Sequence, residues 1–241
     1  LHHELEPRGE RAPVGRWVGV AAGVAVVLVA GGLVVLSGVA SVLAAPALPE
    51  RMVSHWNAAG QPDATMAKGA VLVLFPAIAA AVLGLFLVVP RIDPLRANIA
   101  EFRAPYDWFA VVTMAYLLVV HVGVLAYNLG YRFDFSTFVL VGVAVLFYAV
   151  GVLLSHAERN WFVGIRTPWT LSSDEVWART HALGARLFKF TALVTLVGLA
   201  FGDYAIYFLL VPALLTAGVT IVYSYVLYER LDEEPSASTG G

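Results

Sequence analysis

From Trp17 to Pro49 the chain carries no Asp, Glu, Lys or Arg. About 20 apolar residues already suffice to cross a bilayer as a helix. The imbalance holds for the whole chain: of 241 residues, 60% are hydrophobic and 13% charged, with a mean hydropathy of +0.79. A soluble domain carries about 25% charged residues, so soluble enzyme folds are excluded. The expected class is an all-α, polytopic membrane protein. A formal net charge of −2 supplies no basic field, and no direct nucleic-acid partner is expected. Without Cys, disulfides, thiolate metal sites and cysteine nucleophiles are out of reach. Arg is used far more than Lys, which points to a prokaryotic source.

Hydrophobic runs at about residues 16–45, 69–89, 107–129, 136–155, 187–202 and 204–228 predict six transmembrane helices. Pro76 and Pro212 fall inside spans two and six, where neighbouring helices can satisfy a freed carbonyl. Placing the N-terminus inside leaves only Arg51, Lys68 and Arg132 outside, of 15 Lys and Arg. Basic residues favour the cytoplasmic side, so both termini are expected in the cytoplasm of a multi-pass cell-membrane protein. The first run is too long for a cleaved signal and reads as a retained span. The chain then divides into a cytoplasmic tail (1–15), two spans with an extracellular loop (16–89), spans three and four (90–155), a cytoplasmic loop with spans five and six (156–228), and a disordered cytoplasmic tail (229–241).

Two loops are long enough to be informative. The outer one, between spans one and two, contains His55-Trp56-Asn57-Ala58-Ala59-Gly60-Gln61-Pro62-Asp63. Asn57, Gly60 and Pro62-Asp63 supply turn chemistry, and His55, Asn57 and Asp63 are placed to converge as a polar cluster beside Trp56. A folded cap is one reading and recognition of an external ligand the other; the spacing matches no metal-ligand rule, and no metal or cofactor is expected. The inner loop runs through Asn160, Gly164, Arg166-Thr167-Pro168 and Ser172-Ser173-Asp174-Glu175. Ser172 with Glu175 reads as a capping box. The following segment places Trp177, His181 and Gly184 on one stripe beside Val176 and Thr180, with Arg179, Ala182 and Arg186 facing away. It reads as an interfacial amphipathic helix feeding span five, serving as a structural elbow or as a docking surface. Within the spans, His121 stands near the middle of span three. A neutral His bonded to a neighbouring helix and a proton relay are both open, and a relay needs partners that the sequence does not supply.

The two loops together resemble the SdpI-type immunity protein family. The outer match is Leu48-Pro49-x-Arg51, then His55-Trp56-Asn57, Gly60, Pro62 and Asp63; the inner one runs from Arg159-Asn160-Trp161-Phe162-Val163-Gly164-Ile165-Arg166-Thr167-Pro168 to Glu175-Val176-Trp177, Thr180-His181 and Gly184. The chain departs from the pattern at Ala64-Thr65-Met66-Ala67. The resemblance implies a non-enzymatic membrane protein that protects the cell from a secreted membrane-active toxin peptide. It also implies signalling through a soluble transcriptional repressor held at the membrane. The binding residues it suggests are His55, Trp56, Asn57, Gly60 and Asp63 outside, and Asn160, Gly164, Arg166, Thr167, Pro168, Trp177, His181 and Gly184 inside. A small-solute transporter or exporter is the alternative. It calls for an internal repeat or for polar groups at mid-membrane. A membrane-embedded enzyme calls for a converging nucleophile, base and acid, and the candidate groups are dispersed along the chain.

Overall fold

The computed structural model describes residues 14–237, with side chains described from residue 23 to residue 233. The chain runs α1 (Val14–Ala44), β1 (Arg51–Trp56), β2 (Pro62–Ala67), α2 (Lys68–Ile92), α3 (Arg96–Glu101), α4 (Arg103–Asn128), α5 (Phe135–Leu154), α6 (Pro168–Ser172), α7 (Asp174–Gly198) and α8 (Tyr207–Ala237). Six of these helices, α1, α2, α4, α5, α7 and α8, are long and apolar enough to cross a membrane. Their outward faces carry bare aliphatic side chains: Leu28 is 69% exposed, Leu43 76% and Leu214 72%. Such a surface is stable against lipid and untenable in water.

Among the described residues, the strands lie in the outer loop. β1 and β2 form an antiparallel hairpin in which Arg51 faces Ala67, Met52 faces Met66 and Trp56 faces Pro62, with a bulge between Val53 and His55. The turn follows from its residues. Asn57 Oδ1 accepts from the backbone N–H of Ala59 and of Gln61, 3.0 Å each, and Gly60 takes φ +76°. An isolated hairpin is marginal in water. This one is seated on the bundle: Met52 is buried with Leu48, Val71, Val124, Leu125 and Phe135.

At the other end, the amphipathic segment expected ahead of span five and span five itself are one continuous helix, α7. α5 packs on α7 so closely that a Cβ on Gly151 would lie 2.7 Å from the Ala185 carbonyl oxygen. Asp174 to Ala185 is therefore a rod of about 16 Å, at 1.5 Å per residue, most of it beyond the end of α5. The inner loop packs against this extension. The cap also differs from expectation. Ser173, not Ser172, is the N-cap of α7, its side chain accepting from Val176 N–H at 3.3 Å. Ser172 ends α6, and its hydroxyl donates back to the carbonyls of Pro168 and Trp169. α6 has its own capping box, made by Thr167 and Thr170, with Pro168 in the first turn.

α8 continues through Ala237. The tail expected to be disordered from Glu229 is helical to residue 237, since Glu229, Arg230, Leu231 and Glu233 are good helix formers continuing a span already nucleated. Residues 1–13 and 238–241, the remainder of the two expected tails, lie outside the described residues.

Candidate functional sites at the two ends of the bundle

The long helices carry the hairpin and the inner loop to opposite ends. On α3, which leads into α4, Asn98 Nδ2 donates to Arg159 O at 2.7 Å; at the finish of α4, Asn128 Oδ1 accepts from Val53 N–H at 2.7 Å and Asn128 Nδ2 donates to Val53 O at 3.0 Å. Asn128 thus clamps the hairpin at Val53 like an extra strand residue. Its position at a span end was the one sequence signal that pointed to it.

Within the hairpin, His55 Nδ1 and Asp63 Oδ1 are 2.6 Å apart, with side chains 67% and 43% exposed. This pair forms the outward polar face. Asn57 and Gly60 build the turn, and the tip meets α5: a Cβ on Gly60 would lie 3.1 Å from Ser136 Oγ. Trp56 points inward, stacked on Phe135 at 3.7 Å between ring centroids and edge-on to Tyr127 at 5.1 Å. Its buried Nε1 has no acceptor among the described residues. Beneath the hairpin lies a cavity of about 520 Å³ whose walls include Trp56, Phe75, Val124, Phe135 and Ile206. The expected convergence is therefore partial. His55 and Asp63 meet, while Asn57 is spent on the turn and Trp56 on the root.

Deeper in the bundle, His121 is fully buried between α1 and α4. Ser41 Oγ–H donates to Leu72 O at 2.7 Å, so Ser41 receives the His121 Nε2–H at 3.3 Å, and Ser37 donates to Nδ1 at 2.7 Å. That network assigns the neutral Nε2–H tautomer, with the ring stacked on Phe75. His121 acts as a polar tie between helices.

The inner loop is organised around buried polar groups. Asn160 is fully buried: its Oδ1 accepts from Phe162 N–H and Val163 N–H, and its Nδ2 donates to the carbonyls of Glu158 and Val163. All its hydrogen-bonding capacity on that side goes into folding the turn. Trp177 Nε1–H donates to Ala157 O at 2.7 Å, and its ring stacks on His181 at 3.9 Å. His181 Nδ1–H donates to Trp177 O at 2.8 Å, leaving Nε2 to accept from Ile165 N–H at 3.0 Å. The backbone passes so near that residue 164 must be Gly. It has φ +122°, and a Cβ there would lie 2.3 Å from His181 Nε2. Gly184 likewise leaves room for Ile165, whose Cδ1 would be 2.4 Å from an added Cβ. Thr167 Oγ1 lies 3.0 Å from Ser224 Oγ on α8, which ties the loop to the last span.

Arg166 differs from the others in the inner set. It is exposed, and its guanidinium donates to Trp161 O. Around it the loop presents Trp161, 50% exposed, and Phe162, 40% exposed. Asp93, buried at the end of α2, was missed by the sequence reading. Its Oδ1 accepts from Leu95 N–H and its Oδ2 from Trp161 N–H. Thr170 was also missed; its hydroxyl donates to Ile165 O at 2.8 Å. Asp93 stands before Pro94 in a short connection, which reads as an ordinary turn until its partner 68 residues away is known.

These features define a multi-pass helical protein of the cell membrane with an ordered unit at each end. The SdpI/YfhL protein family model matches residues 156–224, which hold the inner loop, α7 and most of α8. A domain of unknown function (DUF1648) matches residues 32–80, which hold the hairpin. The chain is 23% identical over 201 residues to the protein named "Immunity protein SdpI" of Bacillus subtilis (strain 168), covering 83% of this chain and 94% of that relative. The resemblance to SdpI-type proteins carried by the two loop motifs is thereby borne out. No solved structure matches the chain.

Proposed function

We propose that this protein is an immunity protein of SdpI type, a binding protein and not an enzyme, which protects its cell from a secreted membrane-active toxin peptide. The observation that carries this reading is the outer hairpin. It holds an exposed His55–Asp63 pair over a largely apolar cavity of about 520 Å³, with the Trp56 ring among its walls. A peptide that partitions into the membrane offers apolar side chains for such a cavity and polar backbone groups for the His55–Asp63 pair above it. The relative's printed name supports the immunity role. In this reading His55 and Asp63 touch the peptide, and Trp56, Asn57 and Gly60 hold the hairpin in shape. At the other end, Trp161, Phe162 and Arg166 form the face offered to a soluble repressor. Asn160, Gly164, Thr167, Pro168, Trp177, His181 and Gly184 hold that face in place.

The test is survival of a toxin-sensitive cell expressing the full chain and challenged with a secreted membrane-active peptide. Expression should raise survival, and the double variant His55→Ala/Asp63→Ala should lower it while the protein level is unchanged. No gain in survival from the unaltered chain, over a panel of such peptides, overturns the immunity reading. A gain untouched by the double variant overturns the outer site.

A further inference from the structure

Lys189 sits on α7 against the closing turns of α5, its stem in the slot left by Gly151: a Cβ on Gly151 would lie 2.6 Å from Lys189 Cγ. That level is about one helical turn short of Leu154, where α5 ends, so the lysine lies at the edge of the spanning bundle. Its Nζ is 5.9 Å from the centroid of Tyr148, a ring that is 51% exposed on the outer face. Arg186, one turn nearer the inner loop, is exposed and bonds only the Ala182 carbonyl, through Nε. Among the described residues neither Lys189 nor Arg186 has a carboxylate partner. Cations at this depth are costly unless an anion answers them.

Both line a cleft of about 320 Å³. Of its other charged walls, Arg159 is matched by Asp174 at 2.6 Å and Glu158 is exposed. Ala178, Ala182 and Ala185 keep the cleft open by being small. Beside it, between α4 and α5, runs an apolar groove of about 410 Å³ lined by Trp108, Val112, Val145, Tyr148 and Val152. The two adjoin at α5. Tyr148 meets the lysine ammonium and also lines the groove, and His156, in the cleft wall, donates to the carbonyl of Val152 at 2.9 Å. A cationic cleft at the membrane edge, beside a hydrocarbon-sized groove along the helices, has the chemistry of one ligand class.

We propose that this is a binding site for an anionic phospholipid of the leaflet on the inner-loop side, with its phosphate between Arg186 and Lys189 and one acyl chain along the α4–α5 groove. The site is independent of any toxin or repressor.

The experiment uses the full chain purified in neutral detergent and titrated with phosphatidylglycerol or phosphatidylcholine of the same acyl chains. Readouts are thermal unfolding and retained lipid by native mass spectrometry. Phosphatidylglycerol should bind and stabilise more than phosphatidylcholine. Arg186→Gln, at an exposed position, should weaken that preference about fivefold, and Arg186→Gln/Lys189→Gln about 30-fold, the size expected for one and two basic groups at a headgroup. Arg91→Gln/Arg96→Gln removes the same charge from the same end and should leave the preference intact. Val112→Trp, which fills the groove and keeps both cations, should weaken retention of the lipid. Equal effects of the two lipids, or an undiminished preference in Arg186→Gln, overturn the proposal. Full stabilisation by inorganic phosphate alone also overturns it, in favour of a free anion.

Discussion

Gly164 is where the inner loop is most tightly determined, and Gly164→Ala puts a number on that unit. Two terms add. The residue has φ +122°, and holding an L-residue in a sparsely populated region of that kind costs about 1–3 kcal/mol. The new methyl group would also lie 2.3 Å from His181 Nε2, so the imidazole must leave the Ile165 N–H. His181 is 2% exposed, and a buried group stripped of its partner costs a further ~1–3 kcal/mol. The sum is about 2–6 kcal/mol. Gly130→Ala is the control: φ there is +103° and nothing lies within 4 Å of the added Cβ, so only the first term applies. Thermal unfolding of both variants in one detergent, with the fluorescence of Trp177 stacked on His181 as a local reporter, separates the terms. Gly164→Ala should unfold well below Gly130→Ala and lose the stacked-Trp signal. If the two variants unfold together, the loop yields at no cost and the reasoning on this unit is wrong.

The other predictions follow from single bonds. Ser173→Ala should cost about 1 kcal/mol as a lost N-cap and Ser172→Ala less, compared by unfolding in the same detergent; the reverse order would return the cap to Ser172. Asn128→Leu removes the clamp on Val53 and should speed hydrogen exchange at β1 severalfold while the six spans stay folded; unchanged exchange would show that the hairpin is held by Met52 and Trp56 alone. His121→Phe keeps the stack on Phe75 but loses the bonds to Ser37 and Ser41. It should lower stability by about 1 kcal/mol and leave protection intact; lost protection at normal stability would point to a proton relay. Single cysteines at Ala58 and Ser173 should label from opposite sides of the membrane, Ala58 from outside, as the distribution of Lys and Arg implies; labelling of Ser173 from outside would invert the topology.

The spans were legible because a bilayer imposes one-dimensional rules on length and charge. The loops followed a different logic. The sequence marks Asn57 and Gly60 as a turn, yet the strands flanking it have no strong alternation: every residue of β2 is exposed. What makes them strands is tertiary, namely the Asn128 clamp and the burial of Met52. The stripe of Trp177, His181 and Gly184 was readable from helical spacing, but its purpose was not. His181 and Gly164 are 17 positions apart and meet only because Asn160 folds the loop back, itself tied through Trp161 to Asp93. The conspicuous polar residues of the inner motif therefore bond within the unit: Asn160, Trp177 and His181 are each matched by backbone groups of the loop and α7. The side chains left on the surface are different ones: Trp161, Phe162 and Arg166 on the loop, and the cations of Arg186 and Lys189 on α7, on which the proposals above rest. A polar group unmatched within the fold and placed against lipid marks a contact that the fold alone does not complete.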